Sequence, residues 1–161
     1  MIAEQPKQGS QKNVNTPVSR RCVVTGGAGF IGSHLVERLL AEGYSVHVLD
    51  NLSTGRLDNL QTFANDPRLS FCQIELADSK TVAKEFVGAD WVFHLASLAD
   101  IVPSIEDPLS YHQSNVSATV QVLESARAAG VSKFVYAASS SCYGLPDNYP
   151  TSENSPIRPM Y

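Results

Sequence analysis

The sequence lacks a long hydrophobic run, a strongly basic segment and a regular set of cysteines. Although 43% of its 161 residues are apolar, no apolar stretch approaches the roughly 18 residues that a transmembrane helix requires. The net charge is −4 and the most basic segment is Arg20-Arg21, so neither nucleic acid nor a membrane is a predicted partner. The three cysteines are odd in number and widely separated, which favours reduced thiols and a cytoplasmic protein. No metal site is predicted.

The two ends of the chain differ in composition from its middle. Residues 1–20 are polar and contain no apolar segment like that of a secretory signal peptide, so we expect a disordered leader. Residues 21–161 are long enough for one domain with a hydrophobic core. The residues after Gly144 are rich in proline and show little periodicity, which predicts a long loop. Because the domain ends in such a loop, we expect the sequence to be a truncated part of a longer protein that continues with further helices and strands.

Short apolar segments rich in β-branched and aromatic residues alternate with more polar segments. Predicted strands occupy residues 21–25, 45–49, 69–74, 91–95 and 134–138. Their nearly continuous apolar character is typical of strands buried on both faces of a parallel sheet. The alternation with helices predicts an α/β fold, a doubly wound parallel sheet of five strands with helices on both faces.

Helical spacing of apolar residues is clearest in two of the intervening segments. In the first helix the pattern runs from Ile31 to Leu39, and Gly43 follows as a C-terminal cap. A shorter helix is predicted near residues 79–87, and a long one over residues 109–129. The long helix carries four large apolar residues on one face: Leu109, Val116, Val120 and Leu123.

The segment between the first strand and the first helix is rich in glycine. Gly27, Gly29 and Gly32 match G-x-G-x-x-G, and Gly26 adds an overlapping G-x-x-G-x-x-G. The early glycines permit a tight turn, the middle one opens the backbone to a diphosphate, and Gly32 lets the helix pack closely on the strand. N–H groups at the helix N-terminus favour the same anion. The order strand, glycines, helix predicts a dinucleotide site, with a tight turn that binds no ligand as the alternative.

Asp50 supplies the second feature of a dinucleotide site. It ends the second predicted strand, about 20 residues beyond the glycines, where such folds place an acidic residue for the ribose. A carboxylate there accepts hydrogen bonds from ribose hydroxyls and repels a 2′-phosphate, so the predicted cofactor is NAD rather than NADP. Arg56, in the following loop, is the one residue that favours NADP.

Five segments together resemble the extended short-chain dehydrogenase/reductase family, and within it the NAD-dependent epimerases and dehydratases of nucleotide sugars. They are TGGAGFIGSHL, LDNLSTG, VFHLAS, SNV and YAASSSCYG, in this order between Cys22 and Tyr161. The branch that they resemble most is UDP-glucose 4-epimerase-like. The resemblance implies a Rossmann fold, NAD as cofactor and a homodimer for the full-length protein.

The resemblance also implies which residues bind the cofactor. The glycine turn and the start of the first helix would hold the diphosphate, and Asp50 with its following loop the adenosine ribose. Residues after the third strand would flank the adenine, and residues after the fourth strand and on the long helix would contact the nicotinamide ribose. In chain order the set is Gly26, Gly29, Phe30, Ile31, Gly32, Asp50, Asn51, Ser53, Thr54, Gly55, Glu75, Leu76, Leu95, Ala96, Ser97 and Asn115. Asn115 has an alternative role as a helix residue bonded to a loop, and His94 is interpreted as a hydrogen-bonded core histidine.

Family members use a tyrosine base, with a lysine four residues later, and a serine or threonine that hydrogen-bonds the reacting oxygen. Ser139 matches that hydroxyl, with capping of the strand end as its alternative. Tyr161 is the candidate base in the printed sequence, although a tyrosine just beyond it would fit the family spacing better. Ser140 and Ser141 occupy the positions where dehydratases have an Asp–Glu pair, and two hydroxyls cannot replace that pair in acid–base chemistry near neutral pH.

These features predict an NAD-dependent nucleotide-sugar epimerase that transiently oxidises a UDP- or dTDP-sugar at C4 and reduces the ketone again. We expect the isolated piece to bind NAD without turnover. One alternative is a non-catalytic NAD(H)-binding sensor on the same fold, because fold does not determine function. Another is a nucleotide-sugar dehydratase or reductase.

Overall fold

A five-stranded parallel sheet forms the centre of the computed structural model, which describes residues 20–160. The strands are β1 (Arg21–Thr25), β2 (Ser45–Asp50), β3 (Leu69–Gln73), β4 (Trp91–His94) and β5 (Lys133–Tyr136). They lie in the order β3-β2-β1-β4-β5, and each neighbouring pair is parallel. The predicted doubly wound α/β fold is therefore confirmed. Residues 1–19 of the predicted leader, and the candidate base Tyr161, lie outside the described residues.

The strand boundaries differ from the predicted ones by one or two residues. β1 matches its prediction, and β2 extends to Asp50, which pairs with Gln73 of β3. β5 ends at Tyr136 rather than at residue 138 because its neighbour β4 ends at His94, which pairs with Tyr136. Residues 137–139 therefore leave the sheet as a loop, and this loop reaches the functional site.

The helices and turns that cover the sheet are short except for two. The α-helices are α1 (Phe30–Ala41), α2 (Ser79–Val82), α3 (Ile101–Glu106), α4 (Pro108–His112) and α5 (Ala118–Ala128). A π-helical turn, Gln113–Ser117, joins α4 to α5, and 3-10 turns occupy Leu57–Phe63, Ala83–Phe86 and Ser140–Tyr143. Within residues 20–160, no helix combines the length and the apolar character needed to cross a membrane.

The core consists of one apolar layer on each face of the sheet. On one face, Val36 and Leu39 of α1 pack against the sheet. On the other face, Phe86 and Val122 pack against Val23 of β1, and all three side chains are fully buried. This double coverage explains why the central strands β1 and β2 are buried almost throughout, whereas the edge strand β5 is largely exposed.

The long predicted helix is correct in extent, and the face that it buries is not the one that carries its four large apolar residues. The four apolar residues that the sequence places on one face are 45–81% exposed: Leu109, Val116, Val120 and Leu123. The core contacts come instead from Ala118, Val122 and Ala126. Two of these are alanines, which let a helix backbone approach a sheet closely. The larger residues consequently form an exposed apolar surface, here called the outer face.

The ends of the helices follow the predicted glycine caps. Gly43 adopts a positive φ of +89° after α1. Its N–H donates to Leu40 O, and the Tyr44 N–H donates to Leu39 O, each at 3.0 Å. This pattern satisfies carbonyl groups that the last turn of a helix leaves free. The predicted cap is confirmed.

Residues 145–160 contain no helix or strand, as their prolines predict. The segment turns back towards the 3-10 turn that follows β5. The Arg158 N–H donates to Cys142 O at 2.9 Å, and the Arg158 side chain pairs with Asp147 at 2.7 Å. Gly144, with φ +61°, lies so close to Arg158 O that a side chain at this position would collide with it.

Candidate functional site

A cleft of about 700 Å³ opens at the carboxyl ends of the strands, where the chain order reverses between β1 and β4. Ligands bind at this position in open α/β sheets. All of the predicted cofactor residues line the cleft: Gly26, Gly29, Phe30, Ile31, Gly32, Asp50, Asn51, Ser53, Thr54, Gly55, Glu75, Leu76, Leu95, Ala96, Ser97 and Asn115. Ser139 lines it as well. The fold therefore brings together residues that are far apart in sequence, while their roles in binding stay predictions.

The glycine turn is confined between the ends of β2 and β4. Gly26 has φ +70°, and its N–H donates to Leu49 O at 2.8 Å. A Cβ at Gly26 would lie 2.7 Å from Ala96 N. A residue other than glycine would thus be strained in its backbone and would also collide with the loop after β4.

Gly32 packs closely against the turn that directly follows β1. A Cβ at Gly32 would overlap Gly26 O and lie 2.7 Å from Gly27 Cα. The absence of this atom lets the first turn of α1 rest directly on the loop that precedes it. The close approach that the sequence predicts for Gly32 is present, and its nearest neighbours lie in the turn directly after β1.

The N-terminus of α1 is suited to an anion. Its N-cap is Gly29, which makes no side-chain capping bond, and the first turn contains no acidic residue. The N–H groups of the first helical turn have no intrahelical acceptor, and the residues that carry them, Phe30, Ile31 and Gly32, line the cleft. These amides, the bare glycine backbone and the helix dipole fit the diphosphate of a dinucleotide. The residues present therefore fit NAD at this end of the cleft.

Asp50 is held rigidly at the edge of the cleft. Its side chain is 6% exposed and accepts hydrogen bonds from the N–H groups of Ala28 (3.0 Å) and Leu52 (2.8 Å). A Cβ at Gly55 would lie 3.0 Å from both carboxylate oxygens, so glycine keeps that side of the carboxylate open. Each oxygen has a second lone pair, which fits a ribose diol.

The loops after β2 and β3 join each other next to Asp50. The Asn51 side-chain amide donates to Glu75 at 2.9 Å, and its oxygen accepts the Ser53 N–H at 3.0 Å. Leu76 is 5% exposed and packs in the core, and it also lines the cleft. The structure therefore places Glu75 at the surface of the cleft and Leu76 in its floor.

The loop after β4 is fixed by two polar side chains. Asn115, in the π-helical turn, donates to Leu98 O and accepts the Leu98 N–H, both at 2.8 Å. The alternative in which Asn115 bonds a loop is thus the one observed, and its contact with a cofactor stays a prediction.

His94 is fully buried between Thr25 and Thr119, and its ring nitrogens lie 2.6 and 2.9 Å from their hydroxyl oxygens. It is the hydrogen-bonded core histidine that the sequence predicts, and burial lowers its pKa to about 4.

Ser139 lies in the loop beyond β5, three residues after the strand ends. Its hydroxyl accepts the Ser141 N–H at 3.2 Å and caps the 3-10 turn Ser140–Tyr143. Ser139 thus caps the 3-10 turn that follows it and not the end of β5, and this bond leaves its hydroxyl proton available to a ligand. The catalytic role of Ser139 stays a prediction, as does that of Tyr161.

The structure adds lining residues that sequence analysis did not single out. Tyr136 and Thr119 both border the cleft. Thr119 follows Asn115 by four residues and so shares its helix face, a signal that could have identified it. Tyr136 carried no comparable signal, because in the sequence it was one aromatic residue of an apolar strand. Among the described residues, no group of His, Cys, Asp and Glu is arranged to hold a metal ion.

The chain is similar to known proteins in both sequence and fold. Residues 22–161 match the NAD dependent epimerase/dehydratase family. UDP-glucose 4-epimerase of Mycolicibacterium smegmatis is 44% identical over 142 residues, which cover 86% of this chain and 45% of that protein. Two solved structures share the fold. UDP-N-acetylglucosamine 4-epimerase from Methanobrevibacter ruminantium M1, in complex with UDP-N-acetylmuramic acid, gives a TM-score of 0.81 at 35% identity, covering 88% of this chain and 45% of that one. UDP-glucose 4-epimerase from Brucella ovis in complex with NAD gives 0.78 at 30% identity, covering 88% and 42%.

The chain spans a little under half the length of these relatives. Because the family match extends over nearly all of the described residues, the predicted family and cofactor are both confirmed. The chain belongs to the NAD-dependent epimerase/dehydratase family.

Proposed function

We propose that this chain forms the NAD-binding part of a UDP-sugar 4-epimerase. The observation that carries the proposal is the convergence of the glycine turn, Asp50, the loop after β4 and Ser139 on one cleft. The names of the relatives support the sugar chemistry, since each is a 4-epimerase of a UDP-sugar. They differ in the sugar itself, so the substrate class is a UDP-hexose or a close derivative.

The residues of this chain bind and orient, while the redox chemistry belongs to the cofactor. When bound, NAD supplies the acceptor and donor of a hydride at the sugar C4. The amides at the start of α1 hold the diphosphate, and Asp50 holds the adenosine ribose. At the other end of the cleft, Ser139 presents a hydroxyl that can donate to the reacting sugar oxygen. Tyr161, or a tyrosine that follows it in a longer form of the protein, serves as the base.

Ser140 and Ser141 favour epimerisation over dehydration. Both are exposed in the turn beside the cleft, at the positions of the acidic pair in dehydratases. Loss of water from a sugar requires one group to donate a proton and another to accept one. Neutral serine hydroxyls do neither efficiently near neutral pH, so an epimerase fits this turn better.

The proposal predicts binding by the chain alone and turnover only in a longer form. Calorimetric titration of the 161-residue chain with NAD+ should show one site, and incubation with UDP-galactose should leave the sugar unchanged. A form extended to the length of the relatives should interconvert UDP-glucose and UDP-galactose. Dehydrated product from the extended form would contradict the epimerase assignment, and NAD binding without turnover there would identify a sensor. The absence of NAD binding by the folded chain would overturn both the epimerase assignment and the sensor alternative.

We also propose that the full-length protein forms a homodimer through the outer face of the long helix. Three of its members, Leu109, Val120 and Leu123, are 81%, 57% and 45% exposed. Large apolar side chains exposed on one helix face favour an interaction site. A charge placed in a buried interface is costly, so Leu123→Glu should shift sedimentation from dimer to monomer. Leu57→Glu, at a residue that is 50% exposed in the turn after β2, is the matched control and should remain dimeric. A monomeric parent in the form extended to the length of the relatives would contradict the proposal.

A cytoplasmic location is the third part of the proposal. All three cysteines are free in the structure. Burial raises the pKa of the Cys22 thiol to about 11, so it stays protonated and unreactive. Unpaired thiols of this kind fit a reducing compartment.

A further inference from the structure

The geometry points to His94 as a positioning residue that holds the inner wall of the dinucleotide cleft through a hydrogen-bond chain of fixed direction. This inference rests on the proposed NAD site, because that site gives the wall its purpose. His94 itself contacts no ligand in the proposal. It acts through the loop 95–98 and through the helix turn 115–119.

The direction of the chain follows from its last acceptor. The Thr119 hydroxyl lies 2.7 Å from Asn115 O. A carbonyl oxygen can only accept, so the single hydroxyl proton of Thr119 is donated there. Thr119 Oγ1 can then only accept from the His94 ring, whose Nε2 lies 2.9 Å away. His94 therefore carries its proton on Nε2.

The other ring nitrogen sets the direction at the opposite end. The imidazole is fully buried, and burial keeps it neutral by lowering its pKa to about 4. Its Nδ1 consequently has no proton and accepts from the Thr25 hydroxyl at 2.6 Å. Thr25 Oγ1 in turn accepts the N–H groups of Leu95 and Ala96, each at 3.3 Å. Every proton in the chain therefore points from the loop towards the helix.

The chain and Asn115 together fix one wall of the cleft at two points. Thr25 holds the start of the loop, at Leu95 and Ala96, and Asn115 holds its end by two bonds to Leu98. Both ends of the loop are therefore connected by hydrogen bonds to residues 115–119 of the long helix. The His94 ring also stacks on Tyr136 with 5.6 Å between centroids and an interplanar angle of 22°. The parts of three elements that border the inner end of the cleft thus meet at one imidazole.

Protonation of His94 or loss of its partner would disturb this wall. A proton on Nδ1 would force the Thr25 hydroxyl to turn away, and removal of the Thr119 hydroxyl would leave a buried N–H without an acceptor. The loop 95–98 would then lose the link through Thr25 Oγ1, while the Leu95 N–H bond to Thr25 O at 3.1 Å and the two Asn115 bonds to Leu98 remain. The adenosine end, built from Asp50 and the start of α1, is not part of the chain. Loss of the hydrogen-bond chain should therefore weaken the binding of NAD+ more than the binding of AMP.

The first test is the protonation pattern of the imidazole. NMR of isotope-labelled histidine in the parent chain, with the His94 signals assigned by their loss in His94→Gln, should show a protonated Nε2 and an unprotonated Nδ1. The pattern should persist from neutral pH to one unit above the pKa of about 4. A proton on Nδ1, or titration near neutral pH, would overturn the inference. This measurement needs neither NAD nor a folded threonine variant.

The second test separates positioning from general stability. Thr119→Val keeps the shape of the side chain and removes the hydroxyl, and Thr119→Ser keeps the hydroxyl. Ser125→Ala is the matched control, because Ser125 is 3% exposed on α5 and makes the same type of bond, to Gln121 O at 2.8 Å. Thr119→Val should weaken NAD+ about 3- to 10-fold, the effect of one lost hydrogen bond. It should change AMP affinity less than about twofold, and the other two variants should bind both ligands as the parent does.

Equal weakening of NAD+ and AMP by Thr119→Val, or no weakening of NAD+, would overturn the inference. If the folded parent chain binds neither ligand, the proposed NAD site is wrong, and a positioning role for His94 falls with it. An unaltered NMR pattern would then still establish the direction of the hydrogen-bond chain as a feature of the fold. The two failures are thus distinguishable.

Discussion

Gly32→Ala is expected to remove NAD+ binding and to lower the free energy of unfolding by about 3 kcal/mol, the upper part of the range for overpacking. The added Cβ would overlap Gly26 O and lie 2.7 Å from Gly27 Cα. Both neighbours are backbone, so relief requires the turn to move away from the helix. That movement separates the first-turn amides from the bare turn, which together form the diphosphate site. Urea unfolding and calorimetric titration with NAD+ measure the two effects.

Two controls identify the source of this effect. Glu37→Ala, on an exposed position of the same helix, should change the unfolding free energy by less than about 0.5 kcal/mol. Gly29→Ala is more informative, because its Cβ would have one close neighbour, Gly26 O at 3.2 Å. This substitution should lower the free energy of unfolding by about 1 kcal/mol, as for alanine at an N-cap. It should weaken the binding of NAD+ about tenfold, because the added methyl group obstructs the diphosphate. Tight NAD+ binding by Gly32→Ala would contradict the assignment of the turn.

Asp50→Ala is expected to weaken NAD+ about 10- to 100-fold, the range for a lost hydrogen bond to a charged group. The substitution removes the proposed acceptor of the ribose hydroxyls. It also leaves the N–H groups of Ala28 and Leu52 without their acceptor, which should lower the unfolding free energy by about 1–3 kcal/mol. Because the carboxylate repels a 2′-phosphate, the ratio of NAD+ to NADP+ affinity should fall as well. Calorimetric titration with both dinucleotides measures these changes.

Asp66→Ala provides the matched control for Asp50. Asp66 also accepts a backbone N–H, from Arg68 at 2.9 Å, but it does not line the cleft. The Asp66→Ala variant should lose some stability and keep the parent's affinity for both NAD+ and NADP+. Parent-like NAD+ binding by folded Asp50→Ala would place the adenosine ribose elsewhere.

The fold was predictable because its signals are local and repeated. The central strands β1 and β2 combine β-branched residues with burial on both faces, and Gly43 marks the end of α1 through a backbone conformation that favours glycine. The buried face of the long helix was not predictable in this way. Its largest apolar residues, such as Leu123, face outward, whereas Ala118 and Ala126 pack on the sheet. A hydrophobic pattern cannot distinguish a face that packs on the core from an exposed apolar face.

The candidate site was predictable to the extent that its chemistry depends on residue type. Gly26 and Gly32 are required by backbone contacts that no side chain could replace, and Asp50 follows its strand at the expected distance. The protonation of His94 was beyond sequence analysis. It depends on Thr25 and Thr119, which come from different elements and meet only in the folded chain.

The π-helical turn Gln113–Ser117 constrains how the length of this segment can change during evolution. One residue advances an α-helix by about 100°. Deleting a single residue here would restore regular winding but rotate either Asn115 away from the loop or Val122 away from the sheet. An insertion would create the same conflict in the other direction. Descendants of this gene that keep both contacts should therefore show substitutions in this stretch and no gaps of one residue.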